Sequence, residues 1–129
     1  MKNIIDINLL NELWEQAKAS PRLRMHYDLR NSEKDTSQRI LNALLPGTEV
    51  PIHRHEATNE SFICLCGKME VIFYEPCDSA EGGFKEIERH LLCPAEGKFG
   101  LQLPAGMWHG VNVIEPSVIF EAKDGGYVG

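Results

Sequence analysis

The sequence contains no long apolar run. Its longest stretches of this kind, ILNALL and SVIF, are far shorter than the roughly 20 residues that a membrane-spanning helix needs. The first residues, MKNIIDINLLNELWEQ, become polar and acidic too early for a secretory signal peptide. We therefore expect a cytoplasmic protein without a membrane segment.

The sequence also lacks an excess of positive charge. Lysine and arginine number 13 against 19 aspartates and glutamates, which gives a formal net charge of -6. A surface of this sign is repelled by the phosphates of nucleic acids and of anionic membranes. We expect a small-molecule partner, with no nucleic acid and no membrane.

Cysteine patterns that build disulfide scaffolds or zinc sites are missing as well. The four cysteines include no CxxC pair; they are Cys64, Cys66, Cys77 and Cys93. They stand in strand-like segments, so we expect free thiols. A zinc site on Cys64 and Cys66 is the sharper alternative, but the C-x-C spacing is shorter than zinc sites use.

The length and composition fit one globular domain. The chain has 129 residues, 43% of them hydrophobic and 25% charged, with no internal repeat, low-complexity segment or linker. We expect residues 1–35 to form an N-terminal helix and a connecting segment that pack on a barrel formed by residues 36–129.

One helix is predicted near the N-terminus. Asp6 or Asn8 can cap it, and SPR at 20–22 ends it. Apolar residues recur at helical spacing at Leu9, Leu10, Leu13, Trp14 and Ala17. The segment that follows, RLRMHYDLRNSEKDTS, is charged and is expected to be an irregular connection.

Short strands are predicted over the rest of the chain. Each is six to nine residues long and is bounded by Gly, Pro, Asn or Asp. They are QRILNALL, EVPIHRH, ESFICLC, KMEVIFYE, FKEIERHLL, FGLQLP, HGVNVIE and SVIFEAK. Regularly spaced short strands indicate a β-sandwich or a β-barrel.

Two of the five histidines stand two positions apart in the segment GTEVPIHRHEATNESFICLCG. Residues i and i+2 of a strand project from the same face, so the imidazoles of His53 and His55 converge. The turn-forming residues EATN let the chain reverse and return Glu60 on the adjacent strand. Histidine pairs of this kind are good ligands for divalent metals.

A third histidine follows the turn-forming segment LPAGMW. Pro104 and Gly106 allow a turn that brings His109 from a distant strand to the same place. The predicted metal ligands are His53, His55, Glu60 and His109. Three imidazoles and one carboxylate suit one divalent transition metal (Fe, Mn, Ni, Co, Cu or Zn) with open coordination positions.

These residues match the two motifs of the cupin superfamily. The first motif is matched at every defined position by Gly47, His53, His55, Glu60 and Gly67. The second is matched more loosely: Pro104, Gly106 and His109 are present, but Lys98 stands where a glycine is expected and Asn112 comes one residue early. The chain thus resembles the cupins. The resemblance implies an all-β, antiparallel jelly-roll (double-stranded β-helix) barrel that holds the metal inside and carries one N-terminal α-helix.

A finer resemblance extends over nearly the whole chain. The N-terminal helix and the segments PRLR, SQRILNALLPGTEVPIHRH, LPAGMWHGV and FEAKDGGY look like those of the WbuC-type cupin metalloproteins. Those are small stand-alone proteins associated with bacterial surface-polysaccharide gene clusters. The resemblance implies metal binding and a sugar-related setting, without fixing a reaction.

Strand parity identifies residues that can lie beside the metal. Phe62 and Cys64 share the face of Glu60 and should form an apolar wall of the cavity. We favour a small buried thiol as the role of Cys64. Gln102 and Trp108 flank the turn at the third histidine; the indole either packs over the barrel mouth or stacks on a sugar ring.

Three charged residues are further candidate substrate contacts. Glu121 and Lys123 share one face of SVIFEAKDGGY, and we favour a solvated face over one that lines the barrel. If that face lines the barrel, both side chains become polar substrate contacts. Arg39, next to Gln38, is a candidate because its guanidinium can bind a carboxylate or a sugar through two hydrogen bonds.

Three functions remain open at this point. The first is a metal-dependent isomerase or epimerase of a sugar derivative, with Glu121 or a metal-bound water as base. The alternatives are an iron-dependent dioxygenase and a non-catalytic metal-binding or sugar-binding module. Exposed sheet edges and the apolar helix face favour a homodimer. His26 and His90 have no spaced partner and stay unassigned.

Overall fold

The computed structural model describes residues 3–124. Its regular elements are α1 (Ile7–Ala19), β1 (Arg24–Asp28), β2 (Ser37–Leu44), β3 (Glu60–Pro76), β4 (Phe84–Leu92), β5 (Gly100–Leu103) and β6 (Trp108–Asp124), with short 3-10 turns at Glu81–Gly83 and Pro94–Glu96. Residues 125–129 of the expected barrel, and with them the end of the FEAKDGGY segment, lie outside the described residues. None of the helices in the described part is long and apolar enough to cross a membrane.

The helix begins where the sequence predicts. The Asp6 carboxylate accepts a hydrogen bond from the backbone N–H of Leu9 at 3.0 Å, which satisfies one free donor of the first turn. The last turn ends at Ser20, directly before a proline. The buried face of the helix consists of Leu9, Leu10, Leu13 and Ala17.

The strands form one antiparallel sheet in the order β1-β2-β6-β3-β4, with β5 added to β3. β3 and β6 each have 17 residues. Each therefore fuses two strands that the sequence predicts separately, ESFICLC with KMEVIFYE and HGVNVIE with SVIFEAK. The strand-rich pattern itself is confirmed, and the architecture is the expected all-β cupin jelly roll with one N-terminal helix.

Gly67 stands where the pairing of β3 with β6 shifts register. Its φ of +95° is strained for a residue with a side chain, and an added Cβ would lie 2.3 Å from the carbonyl oxygen of Pro116. Only glycine lets the two long strands approach at this irregularity. Bulges of this kind bend a sheet so that it can close into a barrel.

Two local predictions are wrong. The segment expected to be an irregular connection contains β1, whose residues pair with β2 from Arg24 opposite Leu44 to Asp28 opposite Ile40. In contrast, EVPIHRH forms no regular strand, and only a single bridge joins His53 to β6. Pairing across the sheet, rather than local propensity, decides both segments.

Alternate residues of β2, β3 and β6 enter two separate clusters. The inner core, inside the barrel, consists of Leu44, Phe62, Cys64, Met69, Val71, Phe73, Leu92, Leu103, Val113 and Ile119. The outer core, beneath the helix, consists of Leu9, Leu10, Leu13, Leu41, Ala43 and Val118. The apolar helix face is thus covered by its own chain and leaves no leucine stripe for a second copy. A homodimer stays a prediction.

Candidate metal centre

Backbone hydrogen bonds hold the first two histidines against the start of β6. The N–H of His53 donates to the carbonyl of His109 at 3.1 Å, and the N–H of His109 donates back to His53 at 2.9 Å. Two residues later, the carbonyl of His55 accepts from the N–H of Gly106 at 2.8 Å. An extended loop therefore gives the two imidazoles the fixed spacing that a regular strand would give.

A tight turn places the third histidine. Gly106 has a φ of +82°, and the N–H of Met107 closes the turn on the carbonyl of Pro104 at 3.1 Å. The N–H of Ala105 donates to the side-chain oxygen of Asn59 at 2.8 Å, one residue before β3 begins. This contact fixes the turn against the strand that carries the candidate carboxylate ligand.

The three histidines converge as their spacing predicts. One ring nitrogen from each of His53, His55 and His109 lies within 4.8 Å of the others. The ring centroids are 4.3 Å apart for His53 and His109, 5.3 Å for His53 and His55, and 6.0 Å for His55 and His109. Three nitrogens at such separations can share one metal ion.

In two of the three rings, hydrogen bonds select which nitrogen faces the centre. Nδ1 of His109 lies 3.0 Å from the carbonyl of Met107, and Nδ1 of His53 lies 2.9 Å from the carbonyl of Pro51. Each Nδ1–H can only donate there, which leaves Nε2 with a free lone pair. Nε2 of His109 is buried and has no hydrogen-bond partner within the described chain.

Burial favours the neutral form of two of the imidazoles, those of His55 and His109. Burial lowers the pKa of His109 to about 4, against the raising effect of its hydrogen bond to Met107. Burial also lowers the pKa of His55, with smaller contributions from Lys123 and His53. Neutral imidazoles and an orphaned buried Nε2 are the state that a metal requires of its ligands, so these residues fit a divalent transition metal.

Glu60 lies beside the histidines at the start of β3. Its Oε1 is 3.5 Å from Nε2 of His55, and the side chain is 4% exposed. Burial raises the pKa of this carboxyl to about 7, partly offset by Lys123. A positive ion is the natural partner for a buried carboxylate. Its place as the fourth ligand stays a prediction.

A cavity of about 420 Å³ opens next to two of the three imidazoles. Its lining includes His53, His55, Glu60, Gln38, Glu121 and Lys123. The solvated face that we favoured for Glu121 and Lys123 is therefore wrong, and the alternative, in which this face of β6 lines the barrel, is the observed one. Ile119, on the same face, belongs to the inner core.

Strand register explains how these polar side chains meet. Lys123 of β6 lies between Gln38 of β2 and Glu60 of β3. Glu121 is two residues away on the same face, diagonal to Glu60, a relation that places α-carbons about 7 to 8 Å apart. The two carboxyl groups thus belong to one polar wall beside the candidate ligands.

Glu121 has a strongly perturbed acidity. Burial, and then the nearby carboxylate of Glu60, raise the pKa of Glu121 to about 8, against a hydrogen bond from the side chain of Asn42 and the charge of Lys123. A carboxyl group of this kind exchanges its proton close to neutral pH. General acids and bases are tuned to that range.

Gln102 and Trp108 lie outside this cavity. Gln102 is exposed and accepts a hydrogen bond from the hydroxyl of Ser61 at 3.2 Å, on the outer face of β3 and β5. Trp108 precedes His109 in β6, so its indole projects to the opposite face, where the guanidinium of Arg54 lies 4.6 Å from the ring centroid. The packing interpretation of Trp108 fits this position, and stacking on a sugar beside the histidines does not.

Arg39 also faces away from the cavity. It pairs with Ala122 of β6 and forms an ion pair with Asp35 at 2.8 Å. Its neighbour Gln38 points into the cavity instead and is 3% exposed. The amide oxygen of Gln38 has no hydrogen-bond partner among the described residues.

Sequence reasoning missed three polar residues of the cavity wall, Asn42, Arg22 and Arg24. Strand parity could have found Asn42, because it shares the face of Gln38 and Ile40 in β2. The arginines precede or begin β1, in the segment taken for an irregular connection. No local pattern places that segment beside the site.

Two of the remaining candidates belong to the inner core. Phe62 and Cys64 lie in the inner core, as parity predicts, and burial raises the pKa of the Cys64 thiol to about 11. All four cysteines are free. His90 is exposed on β4 with its Nε2 2.9 Å from Glu88, away from the three clustered histidines.

Comparison with known proteins places the chain in one sequence family and one fold. The family described as "Domain of unknown function (DUF6016)" matches residues 5–82. No curated protein matches the chain in sequence.

Among solved structures, TT1209 from Thermus thermophilus has a TM-score of 0.66 and 24% identity, over 96% of this chain and 98% of that one. The capsular polysaccharide assembling protein CapF from Staphylococcus aureus has a TM-score of 0.61 and 20% identity, over 84% of this chain. An oxalate oxidase in complex with the substrate analogue glycolate has a TM-score of 0.64 and 16% identity, over 86% of this chain. The matched region spans only 30% of the CapF chain and 55% of the oxalate oxidase chain. These likenesses show the cupin fold.

Proposed function

The chain belongs to the family described as "Domain of unknown function (DUF6016)", a description that assigns no activity, and we propose its function from the site. We propose a metal-binding cupin that acts on a sugar derivative by moving a proton, as a sugar isomerase or epimerase does. One observation carries the proposal: the titratable carboxyl of Glu121 lines the same polar cavity as His53 and His55, two of the three convergent histidines.

The histidines and Glu60 would hold one divalent transition metal (Fe, Mn, Ni, Co, Cu or Zn). When bound there, such a metal supplies Lewis acidity toward carbonyl and hydroxyl oxygens of a substrate. The chain contributes the ligand field: Nδ1 of two histidines is fixed by backbone carbonyls, so that Nε2 points to the centre. The barrel wall of Phe62 and Cys64 excludes water from one side.

Glu121 is the residue proposed to move the proton. Its carboxylate takes the proton from a hydroxyl-bearing carbon next to a carbonyl group. In an isomerisation the resulting acid returns this proton to the former carbonyl carbon, while the hydroxyl proton passes to the former carbonyl oxygen, so no further reactant is consumed. In an epimerisation, water on the opposite face supplies the new proton to the same carbon, and Glu121 releases the first proton to solvent. Asn42 orients the carboxyl by its hydrogen bond, and a pKa of about 8 suits both halves of the transfer.

A surface-polysaccharide setting in the cytoplasm is part of the proposal. The resemblance to WbuC-type cupins supports it, together with the shared fold of CapF, which is named a capsular polysaccharide assembling protein. A cavity lined mostly by polar side chains suits a hydroxylated ring better than an aromatic one.

Iron-dependent oxidation is the second candidate. It is favoured by the donor set, which suits iron(II) with open positions, and by the shared fold with an oxalate oxidase. This chemistry would not need the raised pKa of Glu121. That difference separates the two candidates experimentally.

The test uses isotope exchange and oxygen uptake in parallel. Protein loaded with zinc, manganese or iron(II) is incubated in heavy water with sugar phosphates and nucleotide sugars, and deuterium at carbon is followed by NMR. We expect incorporation that falls at least 100-fold in Glu121→Gln, within the range for loss of a general base, while metal content stays unchanged. Glu115→Gln, the same change at an exposed position of β6, is the control.

Each outcome selects one function. Iron-dependent oxygen uptake coupled to loss of substrate would replace the isomerase with the oxidative enzyme. Binding of sugars without exchange or oxygen uptake under any metal would make the protein a binding module.

A further inference from the structure

Three cationic side chains line the cavity beside the histidines. They are Arg22, Arg24 and Lys123. The whole chain carries a formal charge of -6, so this concentration of positive groups runs against its overall balance. Glu60 and Glu121 also line the cavity, so an anion is attracted to the part of the wall that the cationic side chains form and not to the carboxyl groups.

The two arginines stand on the segment that leads into β1. Arg24 pairs with Leu44, at the opposite end of β2 from Gln38, which pairs with Lys123 beside Glu60. Nη1 of Arg24 donates to the carbonyl of Glu49 at 2.8 Å, which fixes the guanidinium against the loop before the histidines. A smaller cavity of about 240 Å³ shares both arginines with the larger one, together with Asn42 and Glu121. The arginines therefore lie next to the polar wall that contains Asn42 and Glu121.

The wall between the arginines and the histidines contains unsatisfied acceptors. Gln38 is 3% exposed, and neither its Oε1 nor Oδ1 of Asn42 has a hydrogen-bond partner in residues 3–124. The side-chain amide of Asn42 hydrogen-bonds the carboxyl of Glu121, so Oδ1 of Asn42 is available to other donors. A buried acceptor without a donor is costly, and the soft terminal torsion of an amide lets it turn toward a ligand.

These features call for a ligand with two kinds of group. The acceptors need donors, which hydroxyl groups supply and a bare anion does not. The guanidinium groups of the arginines suit an anion, because a guanidinium binds a carboxylate or a phosphate through paired hydrogen bonds. A cavity of about 420 Å³ lies within the size range of small-molecule sites.

We infer that the cavity binds a small polyhydroxylated anion, with its hydroxyl groups on Gln38 and Asn42 and its carboxylate or phosphate on Arg22 and Arg24. This assignment rests on the proposed function, because it names the substrate class of the same site. It places the anionic end away from the histidines, so the hydroxylated end meets the metal centre and Glu121.

Binding is measured by calorimetry on the zinc-loaded full chain with five probes. They are D-galacturonate, D-glucose 6-phosphate, D-glucose, acetate and inorganic phosphate, each up to about 10 mM, which covers millimolar affinities. We expect one or both hydroxylated anions to bind at least tenfold tighter than glucose and than either bare anion. Which of the two binds better distinguishes a sugar acid from a sugar phosphate.

Matched arginine variants locate the anion. Arg22→Gln and Arg24→Gln should each weaken the hydroxylated anion about tenfold, a loss of one charge-assisted contact. Arg39→Gln should change nothing, because Arg39 lies on the opposite face of β2 and binds Asp35. Gln38→Leu should weaken the hydroxylated anions and leave the affinity for inorganic phosphate unchanged.

Metal content, measured by elemental analysis, separates this inference from the proposed function. The inference is supported if both arginine variants retain the metal and lose affinity for the anion. The inference is overturned if glucose binds as tightly as the hydroxylated anions, or if both arginine variants keep the affinity of the wild type. It is also overturned if the metal-loaded protein binds none of the probes. Failure of the chain to bind metal would refute the proposed function. In that case the anion affinities of wild type and arginine variants, compared on metal-free protein, still decide the ligand class.

Discussion

Replacing Glu121 by Gln should change how stability depends on pH. In the folded protein the pKa of this carboxyl is raised from 4.5 to about 8, chiefly by burial. The folded state therefore holds a proton that the unfolded chain releases between these values. Stability is highest below the unfolded pKa and is lost as pH rises toward the folded one.

The magnitude follows from that difference in proton binding. Between about pH 5 and pH 7 the unfolded chain releases nearly one more proton than the folded chain, which lowers the free energy of unfolding by about 2.5 kcal/mol. For a domain of this size such a change corresponds to a shift of roughly 10 °C in Tm. Glutamine has the same shape and no proton to release, so the variant escapes this loss.

The assay compares urea unfolding of wild type and variant at several pH values. A chelator is present, so that no metal holds the neighbouring Glu60. His109, whose pKa is lowered to about 4, makes both proteins gain stability as pH rises toward about 6.5, and this contribution cancels in the difference. We expect the stability of Glu121→Gln relative to wild type to increase by about 2.5 kcal/mol from about pH 5 to pH 7.

A control and a refuting result complete the experiment. Glu115→Gln, on the exposed face of the same strand, removes one negative charge without a buried carboxyl and reports the effect of charge alone. Parallel stability curves for wild type and Glu121→Gln across this pH range would show that the carboxyl is solvated, and the reasoning from burial would be refuted.

Three further predictions concern the metal, the backbone and assembly. His55→Ala should lose most bound metal by elemental analysis and keep a folded circular dichroism spectrum, because the inner core does not depend on the ion; unchanged metal content would disprove the ligand assignment. Gly67→Ala should lower the free energy of unfolding by more than about 3 kcal/mol in urea titrations, since the new Cβ meets the carbonyl of Pro116. The control is Gly82→Ala, which has a similar φ but open space around the new Cβ and should cost about 1 kcal/mol. Equal losses in the two variants would contradict this account. The homodimer predicts twice the 14.5 kDa chain mass in light scattering, and a monomer mass at working concentration would exclude it.

The sequence was sufficient for features that depend on local spacing. The helix from Asp6 and the inward face of Phe62 and Cys64 follow from periods of 3.6 and 2 residues. The convergence of His53 and His55 was expected from the same period of 2, although an extended loop rather than a regular strand provides it. The turn before His109 was also predictable, because proline and glycine restrict the backbone locally. These features need no knowledge of which strands are neighbours.

Only the tertiary structure decided which polar residues surround the candidate metal centre. Alternation shows that Glu121 and Lys123 share a face, but the sheet register turns that face into the barrel, beside Gln38. Likewise, Arg24 reaches the cavity because β1 pairs with a strand that follows it in the chain. Strand period is a local property of the backbone, whereas the side of a sheet that is enclosed depends on pairing and curvature between residues far apart in sequence.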